Sequence, residues 1–191
     1  IQRLQDRFGV SGTVLQWIRS YLSGRSHALK VKEFTSSQLQ SDTCGIPQGP
    51  VIGPLLFTLY TSPIHDIIAA HQLKSMIYAN DTQVYVTFKP SERATSVTSV
   101  NACIRDIRSW SAQKKLKINE NKTEVLHLSS KFLTTPSTRA SITVGESVIA
   151  AKTEARNLGV IFDEHASMKS HIANVCRSAM SSIRKTGHIR N

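Results

Sequence analysis

The sequence is poor in cysteine and in long apolar runs, and each shortage excludes a class of protein. Its 191 residues include three cysteines, Cys44, Cys103 and Cys176, which lie far apart and form no Cys-x-x-Cys pair. This spacing favours neither a zinc knuckle nor a disulfide framework, and the given sequence contains no signal-peptide pattern. The richest apolar run, residues 51–60, is far shorter than the roughly 20 residues of a transmembrane helix. We therefore expect no membrane segment, no disulfides and a reducing intracellular setting.

Acidic residues are also scarce. The chain has 24 Lys and Arg against 13 Asp and Glu, a formal net charge of +11. Such a charge attracts polyanions, and nucleic acid is the commonest partner of proteins with this balance, although a generic basic surface gives the same number. A hydrophobic content of 40% with 19% charged residues is enough to build a core, which argues against a disordered tail.

Apolar periodicity divides the chain into helices and strands. Spacings of three and four residues predict helices over 13–23, after the Gly/Pro cluster that ends at Pro54, around 97–107, and from Met168 onward. The third of these helices is expected to be long, with a basic side formed by Arg105, Arg108, Lys114, Lys115 and Lys117. Pro63 should end or kink the second of these helices. Trp17 and Trp110 lie beside apolar positions and are expected in the core.

Alternating residues predict the strands. The pattern from Met76 to Phe88 predicts a β-hairpin with Asn80-Asp81 at its turn. A strand follows at 124–128, and a second hairpin around Gly145-Glu146 is extended by Leu158, Val160 and Phe162. Because helices and strands alternate irregularly and the clearest pair is a hairpin, the pattern favours an α+β fold over a doubly wound parallel sheet.

Three clusters could carry chemistry, and each also has an ordinary structural interpretation. Residues 45–54 contain three glycines and three prolines directly before a helix, where exposed N–H groups favour phosphate or a close approach by a nucleotide. Asn80-Asp81 is equally typical of any turn, because both side chains cap their own turn. Lys122 alone would normally be a solvated surface charge.

The order of these clusters is more specific than any one of them. The run Gly45-Ile46-Pro47-Gln48-Gly49-Pro50, then Tyr78-Ala79-Asn80-Asp81, then Asn119 to Thr123, then Asn157-Leu158-Gly159-Val160 resembles the reverse transcriptase of non-LTR, LINE-like retrotransposons. The resemblance covers nearly the whole chain, including the stretch from Phe8 through Arg25.

The resemblance implies a right-hand polymerase architecture in three segments. Residues 1–128 would form part of the palm, an antiparallel sheet with packed helices. Residues 129–163 would form the primer-grip hairpin region, and residues 164–191 would begin the helical thumb. The chain begins at Ile1, after the family's fingers and after a palm strand that carries another metal-binding aspartate, so we expect both to be absent from it.

The resemblance also implies roles for single residues. Asp81 and the degenerate position Asn80 would be catalytic, with Asp81 as a ligand of Mg²⁺. Template and nucleotide would contact Pro47, Gln48, Gly49, Tyr78 and Lys122, and the primer would lie against Leu158, Gly159 and Val160. The implied partners are an RNA template, a DNA primer and, if the chain is active, deoxynucleoside triphosphates, in the cytoplasm and nucleus.

One residue departs from the family, whose turn reads Tyr-Ala-Asp-Asp where this chain has Asn80. Nucleotidyl transfer uses two magnesium ions about 4 Å apart, and this hard cation demands oxygen ligands. Asparagine keeps an oxygen but loses a charge that is worth about 4 kcal/mol per cation at 4 Å and an effective dielectric of 20. That loss corresponds to roughly a thousandfold in rate, so we expect no polymerase activity.

Two other functions remain open at this stage. The chain could be a non-catalytic nucleic-acid-binding module that uses the basic segments 105–117 and 177–190. It could also be a translated relic without a selected role.

Overall fold

The structure is a computed structural model that describes residues 1–37, 39–40, 46, 49–132 and 140–189. Within these ranges the helices are α1 to α6, spanning Gln2–Phe8, Gly12–Leu22, Gly53–Thr61, Pro63–Ala70, Arg93–Gln113 and Lys169–Ile189. The strands are β1 to β10, spanning Ser26–His27, Lys30–Val31, Phe34–Thr35, Leu39–Gln40, Lys74–Tyr78, Asp81–Tyr85, Ser141–Val144, Ser147–Ala150, Glu154–Asn157 and Val160–Asp163. Short 3₁₀ helices span Pro90–Glu92 and Glu120–Lys122.

The strands of the described residues pair two by two. β1 pairs with β4, β2 with β3, β7 with β8 and β9 with β10, all antiparallel. β5 pairs with β6 across a two-residue connection, which only antiparallel strands permit. Helices combined with small antiparallel pairs confirm the mixed α+β class that the sequence predicts.

The chain divides into two compact units. Unit 1 comprises Ile1–Asp66 and Ser75–Gln83, and unit 2 comprises Ile67–Lys74 and Val84–Asn191. The core of unit 1 joins α1, α2 and α3 through four buried side chains, Leu4, Leu15, Ile18 and Leu56.

Helix α2 shows how far the apolar pattern determines burial. It spans nearly the predicted residues, and Leu15 and Ile18 are buried as the three-residue spacing requires. Trp17, however, is 53% exposed and stacks on Tyr21 with their ring centroids 5.7 Å apart. The predicted core position of Trp17 is therefore wrong, because its side chain lies at the edge of the buried stripe.

The predicted helix break at Pro63 is confirmed, since α3 ends at Thr61 and α4 begins at Pro63. Proline is tolerated in the first turn of a helix, where its missing N–H has no partner to lose. Pro63 therefore starts the following helix.

Unit 2 is built around α5, where Cys103 and Ile107 are buried and Trp110 is half-buried. The pKa of the Cys103 thiol is raised to about 11, mainly by burial and to a smaller extent by the nearby Asp106 carboxylate. Asn101 connects this helix to β7, because its Oδ1 accepts a hydrogen bond from the N–H of Thr143 at 2.8 Å. Cys103 and Cys176 are free thiols, and Cys44 lies outside the described residues.

Two expectations for unit 2 are corrected. Lys114, Lys115 and Lys117 do not extend the basic side of α5, because the helix ends at Gln113. Lys115 has a φ of 57°, and the next N–H bonds back to the carbonyl of Ser111 at 2.8 Å, which closes the helix. The strand predicted at 124–128 is reduced to one parallel bridge between Leu126 and Lys152.

The loop before α6 is organised by one carboxylate. Asp163, the last residue of β10, accepts hydrogen bonds from the backbone N–H groups of His165, Ser167 and Met168 at 3.0, 3.0 and 3.1 Å. It also accepts one from the Ser167 hydroxyl at 2.8 Å. The helix predicted from Met168 onward follows and is confirmed.

Among the described residues, no helix combines the length and the apolar character that crossing a bilayer requires.

We predict that Asp163 makes the unfolding free energy pH-dependent. Its hydrogen bonds with Ser167, His165 and Met168 lower its pKa from 3.8 to about 2. A carboxylate whose pKa is lower in the folded than in the unfolded protein stabilises the fold fully at pH values above its unfolded pKa, here 3.8. This stabilisation is lost as the pH falls through the folded pKa of about 2. Urea unfolding followed by circular dichroism between pH 2 and pH 5 should show this loss, and Asp163→Asn should abolish this part of the pH dependence.

Asp6→Asn is the matched control, because the side chain of Asp6 is exposed and its carboxylate has no hydrogen bond or ion pair within the described residues. An Asp163→Asn profile that follows the unaltered chain over the same pH range would contradict the prediction.

Candidate active site

The tip of the β5–β6 hairpin carries the predicted catalytic residues. The two connecting residues are Ala79 and Asn80, so the turn lies one residue earlier than predicted and Asp81 is the first residue of β6. Ala79 has a φ of 52°, which lets the chain reverse before Asp81. Tyr78 is 65% exposed, and Asn80 and Asp81 are exposed beside it. The structure therefore brings these three residues together on one solvent-facing tip.

The tip offers one carboxylate and one amide as oxygen ligands. Among the described residues, no three side chains of His, Cys, Asp or Glu converge as a metal site requires. Another carboxylate of unit 1, Asp66, is held by Arg7, whose Nη2 donates to its Oδ1 at 2.9 Å. That hydrogen bond lowers the pKa of Asp66 and raises the pKa of Arg7. The described residues therefore do not fit a pair of divalent cations.

The Gly/Pro loop belongs to the same unit as the hairpin tip. Pro47 and Gln48 lie outside the described residues, whereas Gly49 is exposed with a φ of 110°. That backbone conformation suits glycine, and no described atom lies within 4 Å of the place of a Cβ there. Ile46 and Ile52 pack against the core of unit 1 on either side of Gly49. The packed flanks present the backbone of Gly49 to solvent.

Lys122 lies in unit 2, at the end of the 3₁₀ helix Glu120–Lys122. Asn119 caps this turn, because its Oδ1 accepts a hydrogen bond from the backbone N–H of Lys122 at 3.3 Å. The hydroxyl of Thr123 donates back to the carbonyl of Asn119 at 3.0 Å. The Lys122 side chain is exposed, as expected for a residue that binds an anion from solution.

The predicted primer-grip residues form a turn. Leu158 and Gly159 connect β9 to β10 with φ values of 46° and 87°, and Val160 begins β10. The prediction that Leu158, Val160 and Phe162 extend the second hairpin as one strand is therefore wrong, because two successive residues with positive φ reverse the chain between β9 and β10. Leu158 is exposed and Val160 half-buried, so the turn presents an apolar side chain to solvent.

A polar network beside Lys122 was not predicted from the sequence. Glu120 accepts a hydrogen bond from the hydroxyl of Ser147 and lies 3.2 Å from the guanidinium of Arg108. The available signal was an acidic residue within the short Asn119–Thr123 motif, but its partners are 12 and 27 residues away in sequence and no local pattern pairs them.

Comparison with known proteins gives a consistent result. The family model for reverse transcriptase (RNA-dependent DNA polymerase) matches residues 3–162. The chain is 24% identical to a probable RNA-directed DNA polymerase from transposon X-element of Drosophila melanogaster, over 83% of this chain and 17% of that protein. It is 23% identical to the RNA-directed DNA polymerase from mobile element jockey of Drosophila funebris, over 92% of this chain and 19% of that protein.

A third relative is a polyprotein of a retrotransposable element. The chain is 26% identical to a retrovirus-related Pol polyprotein from type-1 retrotransposable element R1 of Nasonia vitripennis, over 73% of this chain and 41% of that protein. The resemblance to the polymerases of non-LTR retrotransposons is thus confirmed, and the chain spans less than a fifth of the two Drosophila proteins. No solved structure matches it significantly.

We predict that Ala79→Gly stabilises the protein. A left-handed conformation costs a residue with a Cβ about 1–2 kcal/mol, whereas glycine adopts it freely. Glycine also loses conformational entropy worth about 0.5–1 kcal/mol more on folding, so the net gain in unfolding free energy should be up to about 1.5 kcal/mol. Urea unfolding measures it.

Ala102→Gly, in the middle of α5, is the matched control. It should destabilise by about 1 kcal/mol, because glycine is a poor helix former. Equal losses from both substitutions would show that the positive φ of Ala79 carries no strain.

Proposed function

Because the chain belongs to the reverse transcriptase family, we propose that it is part of the RNA-directed DNA polymerase of a non-LTR retrotransposon and lacks polymerase activity. Members of this family join deoxynucleotides on an RNA template with the help of divalent metal ions. The observation that carries the proposal is the exposed Tyr78–Asp81 tip, which has the family's catalytic motif with one carboxylate replaced by an amide. We propose that the protein is located inside the cell, in the cytoplasm and nucleus.

The loss of activity follows from the charge of the tip. A pair of divalent cations needs anionic ligands, and Asn80 supplies a neutral oxygen where the family has a carboxylate. Asp81 is the carboxylate that remains at this tip. Asp66, another carboxylate of unit 1, is already paired with Arg7. The described residues therefore do not provide the set of anionic donors that a two-metal transfer step needs.

The binding roles of Gly49, Tyr78 and Lys122 are supported by their exposure, whereas those of Pro47 and Gln48, which lie outside the described residues, rest on the family resemblance alone. We propose that the backbone of Gly49, with Pro47 and Gln48 beside it, and Tyr78 contact the template and the incoming nucleotide. Lys122 would bind the triphosphate. A backbone without a Cβ allows a close approach, and an exposed ammonium group suits a phosphate.

Primer and segment assignments complete the proposal. The turn and strand start formed by Leu158, Gly159 and Val160 would contact the primer. Residues 1–128 would be the partial palm, 129–163 the primer-grip region and 164–191 the start of the thumb.

We predict that the purified chain does not extend an oligo(dT) primer on poly(rA), with either Mg²⁺ or Mn²⁺. The missing charge at position 80 raises the barrier enough to lower the rate roughly a thousandfold. Incorporation of labelled dTTP measures it. The control is a non-LTR reverse transcriptase with an intact Tyr-Ala-Asp-Asp turn, unaltered and carrying Asp→Asn at the first aspartate.

The control enzyme should lose its extension on that substitution, which shows that the assay reports the charge. Extension by the unaltered chain that Asp81→Asn abolishes would overturn the proposed inactivity.

A second candidate function, non-catalytic nucleic-acid binding, is favoured by the distribution of charge. Unit 2 contains 18 of the lysines and arginines and 8 of the aspartates and glutamates, a net charge of +10. Unit 1 contains 6 and 5, so nearly all of the excess charge belongs to unit 2. Helix α6 has no acidic residue, and its exposed cations include Arg177, Arg184 and Lys185. Such a surface suits a polyphosphate backbone.

We predict that duplex binding weakens steeply with salt and depends on α6. Each neutralised phosphate contributes about −0.9 to the slope of log K against log salt. The double substitution Arg177→Gln and Arg184→Gln should therefore make the slope less steep by about 1.8 if both residues contact phosphates. Fluorescence anisotropy between 50 and 300 mM salt measures it.

The double substitution Lys30→Gln and Lys32→Gln is the matched control, since it removes two exposed cations from unit 1. It should leave the slope unchanged. Affinity that does not respond to salt, or equal slope changes for both double variants, would count against a binding surface on α6.

A further inference from the structure

Glu120 connects three segments of unit 2. Its Oε1 lies 3.2 Å from Nη2 of Arg108 on α5, and its Oε2 accepts a hydrogen bond from the hydroxyl of Ser147 on β8 at 2.9 Å. Both oxygens of the carboxylate are therefore engaged, one by a charge and one by a hydroxyl. A carboxylate with two partners on two different elements has little freedom to rotate.

Arg108 is itself held against the neighbouring turn. Gly145, between β7 and β8, has a φ of 66°, and a Cβ at this residue would collide with the guanidinium of Arg108. The absence of a side chain thus makes room for the arginine. Because Asn101 also connects α5 to β7, the helix and the hairpin that hold Glu120 are fixed to each other.

Lys122 follows Glu120 by two residues in the same 3₁₀ helix. The Asn119 cap and the hydroxyl of Thr123 fix its backbone from within the turn, and Glu120 fixes the turn to the rest of unit 2. The side chain of Lys122 is exposed, so the ammonium group extends into solvent from an anchored backbone.

We infer that Arg108, Glu120 and Ser147 form a clamp that positions Lys122 for the triphosphate of a nucleotide, an inference that rests on the role of Lys122 proposed above. Anchoring a binding group in advance lowers the entropy lost on binding. Electrostatics alone opposes this arrangement, because an acidic residue near a bound anion weakens its binding. A carboxylate in this place therefore favours binding only through the geometry that it imposes.

The loss of charge and the loss of geometry at Glu120 would change the affinity for a nucleotide in opposite directions. The direction of the change in affinity therefore tests the clamp. Affinity for dTTP in the presence of Mg²⁺ would be measured by equilibrium dialysis with the full chain. Lys122→Ala should weaken binding at least tenfold, as expected for the loss of a charge-assisted contact. Glu120→Gln removes a negative charge near the anion, yet it should weaken binding three- to tenfold because the pairing with Arg108 is lost.

Glu124→Gln is the matched control, since Glu124 lies two residues beyond Lys122, as Glu120 lies two residues before it. Glu124 pairs instead with Lys152, whose Nζ lies 2.5 Å from its Oε1. Its substitution should leave dTTP affinity unchanged or increase it. Ser147→Ala, which alters no charge, should weaken binding about twofold and serves as a milder variant if Glu120→Gln unfolds. Circular dichroism checks that each variant is folded.

The outcomes separate the clamp from the function on which it rests. If Lys122→Ala weakens binding while Glu120→Gln and Ser147→Ala bind dTTP as tightly as the unaltered chain or more tightly, the clamp is wrong and the role of Lys122 stands. If Lys122→Ala leaves the affinity unchanged, or the unaltered chain binds no dTTP, the proposed role of Lys122 is wrong and the clamp falls with it.

Discussion

Two divalent cations held a few ångströms apart repel each other, and only negative charge on their ligands offsets that repulsion. This constraint decides what the exposed tip of the β5–β6 hairpin can do. The tip is a two-residue hairpin turn with Tyr78, Asn80 and Asp81 facing solvent together. Asparagine is nearly isosteric with aspartate, so it fits the same kind of turn without the charge. Membership of the reverse transcriptase family therefore does not by itself establish polymerase activity.

The same reasoning separates catalysis from binding. Unit 1 contains the hairpin tip and is nearly neutral, whereas unit 2 carries most of the positive charge. Attraction of a polyphosphate depends on the sum of many cations, each of modest effect, but metal-dependent chemistry depends on one or two carboxylates in fixed positions. A single substitution can abolish the second property and leave the first intact. Within unit 2, the Glu120 carboxylate illustrates a third use of charge, the positioning of a neighbouring cation.

Local pattern predicted the elements whose determinants are close in sequence. The break at Pro63, the turn at Gly145-Glu146 and the helix from Met168 all depend on a few adjacent residues, and the structure has each of them. The order of the motifs predicted the family, because the Gly/Pro cluster is followed at the family's distance by the Tyr78–Asp81 tetrapeptide and then by the later motifs.

The failures share a physical cause, which is dependence on residues distant in sequence. A strand at 124–128 needs a partner over its whole length, and Lys152 supplies only one bridge. Trp17 lies at the edge of a buried stripe, where the neighbouring elements decide exposure. The partners of Glu120 come from α5 and β8, and no period in the sequence relates them. The turn between β9 and β10 was not predicted because leucine, unlike glycine, rarely adopts the positive φ that Leu158 has here.

Binding of Mn²⁺ to the hairpin tip, followed by electron paramagnetic resonance, tests the central claim most directly because it needs no primer, template or turnover. Because the unaltered tip is expected to hold the ion weakly, Asp81→Asn should change the Mn²⁺ affinity little. Asn80→Asp restores the missing carboxylate and should increase that affinity at least tenfold. Tight binding of two Mn²⁺ ions by the unaltered chain, lost on Asp81→Asn, would contradict the account.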